Sequence, residues 1–136
     1  MWSIGRNALG VSLILMFAAC AGQTISLVNS TVTTKANADL DTPKPQSTFR
    51  LTDIIRVTVF VTWPDVTASG GLHHVEWNWY RGAQLVSQGK HLMRFNTAPA
   101  DLWTIRAASS LGVGSYKVET IIDGNVISTD SFTIAA

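Results

Sequence analysis

The chain has 136 residues, with ten basic against nine acidic side chains and a net charge of +1 when the histidines are neutral. Lys and Arg are scattered singly, at positions such as Arg50, Arg56, Arg81, Lys90 and Lys117, so no basic stripe exists to neutralise phosphates, and the composition argues against a nucleic-acid partner. One cysteine, Cys20, leaves no internal disulfide, so a domain of this length must be held by packing alone.

The N-terminus carries one basic residue, Arg6, and then an apolar run over residues 8–19. The run falls short of the roughly 20 apolar residues a membrane-spanning helix needs, and its length suits the apolar region of a secretory signal. It closes on Phe17-Ala18-Ala19-Cys20-Ala21-Gly22. This order resembles the lipobox of bacterial lipoproteins. The resemblance implies that residues 1–19 are a signal peptide, that Cys20 is the lipid attachment site, and that everything beyond it lies outside the cytoplasm. One acyl chain binds a membrane only marginally, and a lipoprotein modification would supply more than one. With no aspartate after the cysteine, the resemblance favours the outer membrane, on its periplasmic or surface face. The alternative is cleavage at the small-residue triplet Ala19-Cys20-Ala21, which would release a soluble periplasmic protein.

Residues 20–23 read as a short lipid-proximal linker and residues 24–136 as one domain. Ile25, Leu27 and Val32 suggest an opening strand. Residues 34–48, with Pro43 and Pro45, oppose both helix and central strand and read as a connection. Period-two alternation then dominates. Ile55, Val57, Val59, Val61 and Trp63 share one face, and Pro64 ends that strand. Val75, Trp77 and Trp79 alternate with His74, Glu76 and Asn78. Arg81-Gly82 turns the chain into a short polar strand at 84–87, and a further strand is expected at 90–95, with Leu92 out of phase. Residues 101–108 suit one short helical turn or a strand of their own. Tyr116, Val118, Thr120 and Ile122 alternate next. Asp123-Gly124-Asn125 signals a hairpin, since Gly and Asn accept positive φ cheaply. A last strand over 126–134 points Phe132 and Ile134 the same way.

About seven strands with turn signals between them predict an all-β fold, an antiparallel β-sandwich. Within it, Gly112-Val113-Gly114-Ser115-Tyr116 resembles the tyrosine corner of immunoglobulin-like domains. Trp77 or Trp79 would be the inward tryptophan of the third sandwich strand. Val118 falls where such domains place their second cysteine, so the resemblance implies an immunoglobulin-like or fibronectin-like sandwich without a disulfide. Trp63, Trp77 and Trp103, with Phe132 and the valines, are the expected core.

Chemistry is harder to find. His74 and Glu76 share a strand face, and with His91 on a neighbouring strand they would make a zinc or copper site, although solvated histidines at a strand start explain them as well. No serine lies in a nucleophile elbow, and no carboxylate pair suggests glycoside hydrolysis. Neither catalysis nor a cofactor is expected. Trp63, Trp79, Tyr80 and Trp103 would form an aromatic binding face for sugar rings or a protein anchor. The sequence therefore suggests a lipid-anchored, non-catalytic envelope protein acting through contacts with another envelope protein, as an accessory or assembly factor. The 84–87 strand is its candidate sheet edge. The alternative is a glycan or small-molecule binding module in the periplasm or at the surface.

Overall fold

The computed structural model describes residues 22–40 and 43–136; the signal-peptide and Cys20 expectations lie outside these described residues. In chain order the elements are β1 (Ser26–Thr34), the single-turn α1 (Lys35–Ala38), β2 (Thr48–Arg50), β3 (Ile54–Thr62), β4 (Gly71–Arg81), β5 (Gln84–Phe95), β6 (Ala100–Ala107), the single-turn α2 (Ala108–Leu111), β7 (Gly114–Ile122) and β8 (Asn125–Ala135). Two sheets face each other, one ordered β1-β3-β6 and the other β2-β8-β7-β4-β5. All pairings are antiparallel except β2 with β8. The result is the expected β-sandwich, with an eighth strand in β2 that the proline-bearing segment hides from a reading of alternation.

The core sits where period two places it. Val57, Val59, Val61 and Trp63 from one sheet meet Val75, Trp77, Trp79, Val118 and Ile134 from the other, all with little or no exposure. Phe132 is the hub of an aromatic cluster. It stacks on Tyr116 at 5.4 Å between ring centroids and takes Phe49 and Trp79 edge-on at 5.5 and 6.0 Å. Such pairs add to the area each ring buries and replace the absent disulfide. The tyrosine corner is present: the buried Tyr116 hydroxyl lies 2.6 Å from both the Leu111 and Gly112 carbonyls and donates back to the turn that precedes its strand.

Several expectations change. The strands read at 84–87 and 90–95 are one continuous strand, β5, because Gln88 and Gly89 stay in the ladder opposite Asn78 and Trp77. Residues 100–111 form both a strand and a helical turn. Leu27 is exposed rather than inward, because a bulge between Leu27 and Asn29 breaks the phase of β1. Trp103 is 49% exposed and is not a core residue, since the inward positions of β6 are Leu102 and Thr104.

Gln23, expected to be linker, is bound into the domain. Its Nε2 donates to the carbonyls of Asp65 (3.0 Å) and Ser69 (2.9 Å), and its Oε1 accepts from the Asp65 N–H (2.8 Å). Its own N–H donates to the Gly70 carbonyl at 3.2 Å. A glutamine side chain with partners on both ends is a fixed structural element rather than a tether.

Candidate functional site

The two long flanks of the sandwich differ. On one, β1 runs beside β8 and the Ser30 hydroxyl donates to Asp130 at 2.7 Å. On the other, β5 and β6 are the outer strands of their sheets, and among the described residues neither has a second strand neighbour. Between them lies a groove of about 370 Å³, lined by Trp77, His91, Met93, Trp103, Thr104 and Arg106 among others.

Alternation explains what faces into it. On β5 the residues paired with inward-facing β4 positions are Ser87, Gly89, His91 and Met93, opposite Trp79, Trp77, Val75 and His73. On β6, Arg106 shares the phase of Leu102 and Thr104. An arginine at an inward position is tolerable here only because the flank is open. Its guanidinium reaches across the gap, donating from Nε to the Ser87 hydroxyl (2.8 Å) and from Nη1 to the Ile105 carbonyl (2.7 Å), and it lies 5.5 Å from the Trp79 ring centroid. Among the described residues it has no carboxylate partner within ion-pair distance. Gly89 leaves a hollow beside it: a Cβ there would stand 3.7 Å from both Arg106 Nη2 and His91 Nε2, and 4.0 Å from the Trp77 ring. The His91 ring packs edge-on against Trp77 at 5.7 Å. The groove thus joins an aromatic wall, a guanidinium with donors to spare and the unpaired backbone of two strand edges.

The aromatic binding face expected from Trp63, Trp79, Tyr80 and Trp103 does not assemble. Trp79 is fully buried, and Trp63 is only 2% exposed, with its Nε1 donating to the Ala68 carbonyl at 2.9 Å. Tyr80 and Trp103 belong to strands of different sheets. Each is covered by a cation, Tyr80 by Lys117 at 4.9 Å and Trp103 by Arg56 at 4.8 Å.

His74, Glu76 and His91 border one surface hollow, but their side chains do not gather as a ligand set. His91 pairs with Val75 and so faces the groove, whereas His74 and Glu76 face the other way. Glu76 is held by Gln88 and Lys90. Among the described residues no group of three or more His, Cys, Asp or Glu gathers as metal ligands.

His73, which with His74 opens β4 beside a loop and would be expected to stay solvated there, is instead buried at 3% exposure, between Asp123 and the Gly70 carbonyl. Its parity with Val75 and Trp77 was the available signal. Partial burial acts to raise the Asp123 carboxyl, but the His73 hydrogen bond, the His74 N–H and the charge of both imidazoles outweigh it, so the group sits below its ordinary value. Arg106 and Gly89 were missed because nothing in one strand's pattern says that its sheet ends there.

No protein-family model matches the chain, and no curated protein matches it. Among solved structures, an immunoglobulin-like protein from Pseudomonas aeruginosa is similar with a TM-score of 0.57 at 4% identity, covering 85% of this chain and 99% of that one. An alkylpurine DNA glycosylase from Pseudomonas fluorescens, bound to DNA containing an abasic site analog, is similar with a TM-score of 0.56 at 12% identity. That match covers 85% of this chain and 31% of the glycosylase. At such identities the likeness establishes the fold, an immunoglobulin-like β-sandwich, and nothing beyond it.

Proposed function

We propose that this immunoglobulin-like sandwich is a non-catalytic envelope protein, anchored by lipid at Cys20, that works by binding another envelope protein along its β5–β6 flank. The observation that carries the reading is β5 itself. It is a twelve-residue edge strand whose outer side has no strand partner among the described residues, beside a groove walled by Trp77 and Arg106. An extended segment of a partner would gain main-chain hydrogen bonds from the edge and set alternate side chains into the groove. Lys90 and Arg94 on the outer face of β5 supply the charge that keeps such an edge from pairing with copies of itself. The glycan reading has less support, because two of its four aromatics are core residues.

The test is site-specific photocrosslinking in intact envelopes. A photoreactive side chain at Gln88 or His91 should capture one defined envelope protein, and one at Lys117, on the outer face of β7, should not. Capture should weaken in Cys20→Ser, which lacks the anchor. The same capture from Lys117, or none from the flank, would reject the reading.

A further inference from the structure

The strongest unassigned feature is how the chain enters the domain. Gly22 and Gln23 are docked rather than draped. The four hydrogen bonds of Gln23 grip the loop between β3 and β4, and that loop is itself stiff. Trp63 Nε1 donates to the Ala68 carbonyl, and the Gly70 N–H and the Ser69 hydroxyl both donate to the Phe95 carbonyl, at 2.8 and 3.0 Å. Beneath it, Trp63, Phe95 and His73 form a stacked column, with ring centroids 6.3 and 5.2 Å apart.

Gly22 lies against this column so closely that a Cβ would stand 2.9 Å from His73 Nε2 and 3.2 Å from the Gly70 carbonyl. Only glycine allows the chain to lie there. A flexible tether requires neither that fit nor a glutamine with three side-chain hydrogen bonds.

Cys20 stands two residues before Gly22. Two residues of fully extended chain reach no more than about 7 Å. We propose that the end of the sandwich bearing Gly22, Gln23 and the 64–70 loop faces the lipid surface, and that the Gln23 clamp holds the domain upright on the bilayer instead of letting it swing. The inference rests on the lipid-anchor reading of Cys20. Its occupant is the bilayer into which that anchor inserts. Two carboxylates at this end, both exposed, already hold partners within the protein, Asp65 the Thr67 hydroxyl and N–H and Asp123 the His73 ring and the His74 N–H. Neither is left without a partner to face a headgroup.

The eleven residues of β4 separate this end from the Arg81–Gln84 turn by about 35 Å at the usual strand rise. The turn thus stands far from the membrane, and the β5–β6 flank rises beside the bilayer with its edge at a set height.

The experiment uses the full chain, expressed with its signal and acylated, in vesicles of phosphatidylethanolamine and phosphatidylglycerol carrying an acceptor dye on the headgroups. Donor dyes are placed on Val66→Cys in the clamped loop and, separately, on Gln84→Cys at the far turn. Energy transfer should be strong from position 66 and several-fold weaker from 84. Gln23→Ala should bring the two values together. Equal transfer from both positions in the acylated parent would overturn the fixed orientation, and a difference that survives in Gln23→Ala would overturn the clamp as its cause. Mass spectrometry of the same samples separates the two readings, since a chain without acyl groups on Cys20 overturns the anchor and the orientation with it.

Discussion

His73 and Asp123 meet across 50 positions of sequence, Nδ1 lying 2.5 Å from Oδ2, and they tie the start of β4 to the hairpin between β7 and β8. His73 Nε2 faces the Gly70 carbonyl at 2.8 Å. Both ring nitrogens thus face oxygen atoms. Because the Asp123 carboxyl is held below its ordinary value of 3.8 in the fold, the stability it contributes is complete above about pH 4 and is lost as pH falls through the lowered value. Asp123→Asn keeps a hydrogen-bonding side chain but does not titrate. Its acid unfolding profile should be flatter than the parent's below pH 4, and identical acid limbs in the two proteins would count against the pairing.

Trp77 and Trp103 offer a contrast within one groove wall. Trp77 is buried in the core and Trp103 is half exposed. Trp77→Ala should cost about 3–5 kcal/mol, as emptying a large core site does. Trp103→Ala should cost less than about 1 kcal/mol, as surface changes do. Urea denaturation of the two variants checks the assignment of faces on β4 and β6 together.

Tyr116→Phe removes only the hydroxyl that caps the turn before β7, and it leaves the Leu111 and Gly112 carbonyls without that donor. The expected loss is about 1–3 kcal/mol, the cost of leaving a buried polar group unpaired, read from chemical denaturation. An unchanged midpoint would mean that the corner contributes shape but no stability.

Gly89→Ala separates fold from function on the flank. The added methyl meets nothing closer than 3.7 Å, so the native state accommodates it. The reduced freedom of the unfolded chain should raise stability by about 0.4–1 kcal/mol. The same methyl fills the hollow between Arg106 and His91, and crosslinking of the partner from Gln88 should fall. A variant that is stabilised yet crosslinks as the parent does would move the contact away from this hollow.

Titration calorimetry with zinc and copper on the folded domain should show no binding tighter than micromolar, since His91 and His74 occupy opposite faces. Tight binding abolished by both His74→Ala and His91→Ala would require a different register of β5.

The fold class was legible from the amino-acid sequence because a sandwich strand writes its burial with period two. The rows ending in Trp63, Trp79 and Ile122 each place their apolar side chains on one face, and those faces are the core. The turns at Arg81-Gly82 and Asp123-Gly124, and the tyrosine corner, were legible for a similar reason, since each rests on the conformational preference of a few adjacent residues. Register between strands is not local. A bulge between Trp79 and Tyr80 shifts the β4–β5 ladder by one residue. Had the pairing of Arg81 with Gln84 continued unshifted, His74 would face His91; with the shift, His74 meets Leu92 and His91 turns to the groove. One residue of slip exchanges the two faces of a strand, and no alternation within a single strand records it. For the same reason only the tertiary structure decided which strands end their sheets, why Arg106 points inward, and that Gly22 and Gln23 are part of the domain.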